Sequence, residues 1–551
     1  MKKLYTIHIL LLFVSISWAQ TYNGESYRKK VTPTKNLILM IPDGTSLNVV
    51  SAARWYQIYN KQGNNLAIDN YLCGTVKTYS SNAPIADSAP ATSAFVTGMP
   101  TQTQFISMYP PADQQNDLVT VDPLMAFQPL ATILEAARIE KKKSVGLVVS
   151  VEFPHATPAD CAAHYHNRGN YKVIGSQMAH QDLSVMFGGG TSFVTDDMKQ
   201  HLSEQNVSYY ANDISAFRNH KEGKAWALWC EGAMPYAIDK DTTQIPTLKE
   251  MTTKAIDILS KDKNGFFLMV EGSQVDWAAH ANDAVGMITE YLDFDKAVQA
   301  AIDFAIKDGN TTVVVVPDHG NSGFSIGRNG LRSYDRATLS ELFHNVSQYK
   351  RTARGLEQIL LKEKPENVKA VLKQYTDIEI SDEELKDLLN SQNYHAENYM
   401  KVNDGKNMNS KLVELMNKHT YFGFTSGGHT GEEVFLAAYH PQGEVPIGMN
   451  TNIELSHYMA DALGLKKRLP QLTQEIFAKH TDIFDGYDYK INTSGEFPVL
   501  TVKKGKNTLV IPAHKSVAYL NKKTIDIGSV TVYTRMTGIF YLSRSLKDLL
   551  N

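Results

Sequence analysis

The sequence predicts an α/β fold: a large, mostly parallel central sheet with helices on both faces, plus a helical insertion and a small C-terminal β-rich module. Three observations carry this expectation. Apolar runs at residues 36–41, 144–151, 266–270 and 311–316 have the length and the scarcity of polar residues of strands buried on both faces. Between the last two, Met287, Tyr291, Phe294, Val298, Ile302 and Ala305 recur at helical spacing, and Gly309 supplies the stop. Strand, helix, strand is the crossover unit of a parallel sheet. The composition, 43% hydrophobic and 21% charged, excludes wholesale disorder and fibrous repeats.

At the amino terminus, Lys2 and Lys3 precede an apolar run at 9–16 and then Ser17-Trp18-Ala19. That order predicts a secretory signal peptide over residues 1–19, cleaved after Ala19. The run falls short of the roughly 18–20 residues that span a bilayer. The expected product is exported, periplasmic or secreted, with no membrane span. A net charge of −3 over 551 residues gives no electrostatic reason for nucleic-acid-specific binding. Cys73, Cys161 and Cys230 are odd in number and widely spaced. One bridge with a free thiol and no bridge at all are both open, and buried, inert cysteines suit the pattern better than a redox pair.

Each apolar run ends in chemistry. The first leads into Pro42-Asp43-Gly44, the second into Glu152, the third into Glu271 and the fourth into Pro317-Asp318-His319. Open α/β sheets bind ligands at the carboxyl ends of their strands. The polarity of loops explains one or two such endings, not four. Residues 328–425 change to charged helical sequence and read as an insertion, and the polar stretch 101–122 reads as a smaller one. The core is then 20–327 with 426–484. From 485 to 551, alternating pieces such as Thr531-Val532-Tyr533 read as the β-rich module.

Five constellations follow. Asp276 and His280 stand four apart on a helix that follows Glu271, a spacing that suits half a zinc site and equally a surface hydrogen bond. Asp318-His319 is followed by Gly320, which permits a sharp turn. Gly427-Gly428-His429-Thr430-Gly431 presents one imidazole in a glycine loop, or simply turns the chain. Asp87-Ser88-Ala89-Pro90 opens a helix, so Ser88 is either an ordinary cap or a hydroxyl at an anion-favouring N-terminus. As a nucleophile it needs activation, and with no Ser–His–Asp order evident, metal coordination is the route left. His155-Ala156-Thr157-Pro158 follows the second run, with Arg168 beyond it. Thr157 with Asp43 and Glu271 makes an all-oxygen set suited to Mg²⁺, and an arginine fork matches phosphate.

In this order, and with Phe187-Gly188-Gly189-Gly190 between them, these motifs resemble the alkaline phosphatase family of the larger alkaline phosphatase superfamily. The resemblance implies hydrolysis of phosphate monoesters through a phosphoserine on Ser88, with Arg168 holding the phosphoryl oxygens. It implies one zinc on Asp276, His280 and His429. A second zinc falls on Asp43, Asp318, His319 and Ser88, and a third, Mg²⁺-type site on Asp43, Thr157 and Glu271. His155 stands where some members have Asp, and Trp277 where others have Lys or His; both adjoin the substrate position. Homodimers are usual in the family, and the insertion could support or block one.

Three rivals are weighed against this. A sulfatase needs an arginine after the proline, and Ser88-Ala89-Pro90-Ala91-Thr92 has none. Diesterases of the superfamily often use Thr and lack an equivalent of Arg168, whereas one arginine clamp suits a dianionic monoester. A non-catalytic metal- or phosphate-binding protein would lack a ligand or the nucleophile, and none is missing.

Overall fold

In the computed structural model, residues 31–331 and 334–550 are described, so the expected signal peptide lies outside the described residues. The run beginning at Asn36 forms strand β1 (Asn36–Pro42), buried along its whole length. Apolar side chains on both sides of a strand demand cover on both faces of its sheet. The others are β2 (Leu72–Lys77), β3 (Ser144–Glu152), β4 (Val185–Gly189), β5 (Val207–Ala211), β6 (Lys224–Trp229), β7 (Phe266–Gly272), β8 (Thr311–Val315), β9 (Val434–Tyr439) and β10 (Gly448–Thr451). They form one ten-stranded sheet in the order β10-β2-β9-β8-β1-β7-β3-β4-β6-β5.

The pairings from β8 through β5 are parallel. Strand β9 is antiparallel to both its neighbours, β8 and β2, while β10 is parallel to β2. One strand therefore opposes all the rest. The segment entering β9 thus arrives at the edge where the other strands finish.

Helices α1 (Ser88–Thr97), α2 (Ala156–Ala162) and α3 (Gln274–His280) each start shortly after a strand has reached that edge, and all three are buried throughout. The long helix α4 (Ala284–Asp308) returns the chain from β7 to β8. Asp283 caps its start by accepting from the Gly286 N–H, and Gly309 closes its end with φ +67°.

Ser325–Ile326 pairs with Phe422–Gly423, and between them lie helices that include α5 (Ala353–Leu360) and α6 (Met408–Lys418). The stretch 101–122 is tied back to the core through an Ile106–Tyr165 bridge. Beyond β10, a five-stranded antiparallel sheet runs from Asp488 to Asp526 around Leu500, Val502, Leu509 and Ile511. Among the described residues, no helix is long and apolar enough to cross a membrane. The cysteines are unbridged; only Cys161 is fully buried, and Cys73 and Cys230 are half-buried, which corrects the expectation that all three are interior.

Candidate active site

Five neighbouring strands deliver the candidate residues to one edge. β8 leads to Asp318 and His319, β1 to Asp43, β7 carries Glu271 and leads to Asp276 and His280 on α3, and β3 leads to His155 and Thr157 on and before α2. His429 precedes β9 rather than following it, and the reversed direction of β9 is what brings it to the same place. A two-residue antiparallel pairing of Gly320–Asn321 with His429–Thr430 locks the His319 and His429 loops together. Their rings stack at 3.7 Å.

Three groups of ligand atoms, each within 4.8 Å of one another, result: Asp276, His280 and His429; Asp43, Asp318 and His319; Asp43, His155 and Glu271. Asp87, His319 and His429 form a fourth. His280 Nδ1 lies 2.8 Å from the Gly427 carbonyl, His429 Nδ1 2.9 Å from that of Ala86, and His319 Nδ1 3.1 Å from that of Gly320. A carbonyl oxygen can only accept, so each Nδ1 carries a proton and each ring turns Nε2, the atom available for ligation, inward. His280 Nε2 and His429 Nε2 are 3.1 Å apart, and each is 3.5 Å from an Asp276 oxygen. Two lone pairs and a carboxylate facing one another repel unless a cation is shared between them.

The remaining donors tell the same story. Asp43 Oδ2, Asp318 Oδ2, both Glu271 carboxylate oxygens and Thr157 Oγ1 are buried without a hydrogen-bond partner among the described residues. Burial and the charges of Asp318, Asp276 and Glu271 hold the Asp43 carboxyl well above the ordinary range. Burial, with Asp318 beside it, pushes Glu271 up to about 8. Burial, with His319 adjacent, takes His429 down to about 4. Asp276 stays below its usual value despite burial because His280, His429 and His319 surround it. Orphaned oxygens and inward-facing imidazole nitrogens at these spacings fit bound divalent cations, since a cation reverses the repulsion that burial creates.

Ser88 opens α1, with its N–H donating to Asp87 Oδ1 at 2.8 Å. Its Oγ lies 3.3 Å from His319 Nε2 and 3.5 Å from Asp43 Oδ1. The same Asp87 oxygen accepts from Arg168 Nη1 at 2.5 Å, so one carboxylate ties nucleophile candidate and arginine together. That guanidinium keeps Asp87 well below the usual carboxylate range even though burial opposes it. Arg168 Nη2 lies 3.2 Å from both His155 Nε2 and the Tyr399 hydroxyl. Burial, reinforced by Arg168, depresses His155 to about 3, so its ring is neutral. Trp277 is buried beneath Tyr399, the rings stacked at 4.4 Å and 16°.

All twelve residues singled out from the sequence thus meet at one edge. The family model for alkaline phosphatase matches residues 34–465. The chain belongs to the alkaline phosphatase family. Alkaline phosphatase 3 of Bacillus subtilis is 33% identical over 479 residues, spanning 84% of this chain and 97% of that protein. Among solved structures, the cold-active alkaline phosphatase from a psychrophilic Shewanella superposes with a TM-score of 0.67 at 25% identity, covering 78% of this chain and 99% of that one. A variant of the TAB5 alkaline phosphatase, solved with Mg bound in its M3 site, gives 0.55 at 26% identity over 79% of this chain and 100% of that one. The enzyme is accordingly a metal-dependent phosphomonoester hydrolase.

Sequence reasoning missed three contributors. Asp87 was visible as the residue before Ser88, but its bond to Arg168 was not. Asn321 donates to Asp276 Oδ1 at 2.7 Å, orienting a ligand carboxylate. Tyr399 stands in the charged segment 328–425, where no local pattern marks it.

Proposed function

We propose that the enzyme acts through a covalent phosphoserine on Ser88, and that it uses two zinc ions and one Mg²⁺. The observation that carries this is the Ser88 hydroxyl at the start of α1, within 3.5 Å of both His319 Nε2 and Asp43 Oδ1. Asp276, His280 and His429 would hold one zinc, Asp43, Asp318, His319 and Ser88 the other, and Asp43, Thr157 and Glu271 the Mg²⁺. When bound, a zinc pair lowers the pKa of the serine hydroxyl and stabilises the entering and leaving oxygens of an in-line displacement.

The protein's own part is positional. The α1 N-terminus turns backbone N–H groups toward an anion and favours charge developing beside Ser88. Arg168, fastened by Asp87, binds phosphoryl oxygens with the donors left over. Ser88 Oγ forms the bond to phosphorus as the ester P–O bond breaks and the alcohol leaves. Water then cleaves the phosphoserine, giving inorganic phosphate and restoring the hydroxyl. Two successive inversions give net retention at phosphorus.

The amino-terminal pattern supports export, to the periplasm or out of the cell. The pairing of 325–326 with 422–423 supports treating 328–425 as an insertion on the core, with 485–551 as a terminal module. A homodimer is the assembly we propose, checked by the mass in solution. The decisive assay compares p-nitrophenyl phosphate with its diester and sulfate analogues on protein whose metals have been measured. Orders-of-magnitude preference for the monoester, with zinc present, is expected. Faster diester or sulfate turnover, or full activity after chelation, would reject the reading.

A further inference from the structure

We infer that Tyr399, brought in by the segment 328–425, is a positioning residue for Arg168 and thereby sets the affinity of the site for phosphate. The inference rests on the reading of Arg168 as the phosphate clamp. A guanidinium can only donate, so the Tyr399 oxygen accepts from Arg168 Nη2 at 3.2 Å. The hydroxyl has one proton, and His155 Nε2 stands 3.1 Å away to take it. That nitrogen also lies 3.2 Å from Arg168 Nη2, so its single lone pair is shared between the two donors. Asp87 holds the guanidinium through Nη1. The arginine is thus held through both terminal nitrogens, by Asp87 at Nη1 and by Tyr399 and His155 at Nη2.

Tyr399 is itself held in place. It begins a short 3₁₀ turn, Tyr399–Lys401, that the Asn398 side chain caps by accepting from the Met400 N–H at 3.0 Å. Asn407 Nδ2 donates to the Val402 carbonyl at 2.7 Å and secures the exit of the turn. The ring stacks on Trp277, a residue of α3, the helix that also carries Asp276 and His280. Arg354 of α5 lies 5.8 Å from the centre of the Trp277 ring. A hydroxyl with this backing orients Arg168 before substrate arrives, and preorganisation of that kind is read as affinity.

The test uses the metal-loaded enzyme and inorganic phosphate as probe, in the parent and in Tyr399→Phe, Tyr399→Ala and Arg168→Ala. Tyr399→Phe keeps the ring on Trp277 and removes only the hydroxyl. It should raise both the phosphate inhibition constant and KM for p-nitrophenyl phosphate about three- to tenfold, the effect of one net hydrogen bond, with kcat not reduced and Tm unchanged. A Phe variant with the parental or a lower inhibition constant overturns the inference, and impairment in Tyr399→Ala alone would assign Tyr399 to ring packing only. If Arg168→Ala also leaves inhibition unchanged, the clamp reading falls with it; if Arg168→Ala alone weakens inhibition, only the Tyr399 inference falls.

Discussion

Ser88 Oγ and His319 Nε2 stand 3.3 Å apart although 231 positions separate the two residues. One comes from the first turn of a helix, the other from the loop after a buried strand, and the edge of the sheet is where they meet. With His319 Nδ1–H turned to the Gly320 carbonyl, Nε2 is the ring atom that faces the serine.

Ser88→Ala removes an exchangeable oxygen from a site whose other ligand atoms stay in place. Monoesterase activity should fall by about three orders of magnitude or more, with metal content and Tm close to the parent's. Steady-state rates and elemental analysis on the same preparation check this; turnover near the parental rate would remove Ser88 from the mechanism.

Gly44 sits at φ +62°, and a Cβ placed on it would lie 2.8 Å from Asp276 Cβ. Gly44→Ala therefore strains the backbone and displaces Asp276 together. The expected outcome is loss of bound metal and of activity by about a hundredfold or more in a protein that still folds, since outlying strands are untouched. Metal stoichiometry and circular dichroism read the two effects separately.

Asp283 serves two helices. Its Oδ1 accepts from the Gly286 N–H of α4 at 2.9 Å and its Oδ2 from the Ala353 N–H at the start of α5 at 2.8 Å. Asp283→Ala leaves both buried donors without their carboxylate and should cost about 3 kcal/mol. A lower Tm and faster proteolysis within 328–425 are expected. Parental protease resistance would show that other contacts fasten α5.

Acid should loosen the C-terminal sheet. Burial, then His201 and Lys515, takes His180 down to about 2, and burial with Arg535 takes His514 down to about 3. His180 Nδ1 meets Ser516 Oγ at 3.2 Å, and His514 Nδ1 meets Gln177 Nε2 at 3.3 Å, both across the contact between the helix Tyr171–Ala179 and its end and the sheet. Both folded values lie below the unfolded value of about 6.5, so the unfolded chain takes up protons first. Their stabilisation is complete above about pH 6.5 and is lost as pH falls toward 3, by up to about 1.4 kcal/mol per unit for each ring. The slope of Tm against pH between 7 and 4.5 should be shallower in His180→Gln/His514→Gln than in the parent; equal slopes would assign acid lability elsewhere.

Much of the site was readable because its signals are local. Asp43, Glu271 and Asp318 follow strands recognisable from a few apolar neighbours, and Asp276 and His280 share one helix face. From the sequence Trp277 is expected beside the substrate position; its place as the platform beneath Tyr399 had no local signal. Tyr399 and Arg168 are as far apart in the chain as Ser88 and His319, yet no strand end announces the tyrosine. Its turn is set by Asn398 and Asn407, and its contacts by packing on α3.

The chain's own text determined the α/β class, the strand endings and the family, because periodicity and loop chemistry depend on residues within about ten positions of one another. Only the tertiary structure decided that β9 runs against the other strands and so brings His429 to the shared edge. A strand's direction is chosen by the neighbours it pairs with, and here those neighbours, β2 and β8, lie hundreds of positions earlier or across an intervening helical segment. No stretch of sequence contains that pairing.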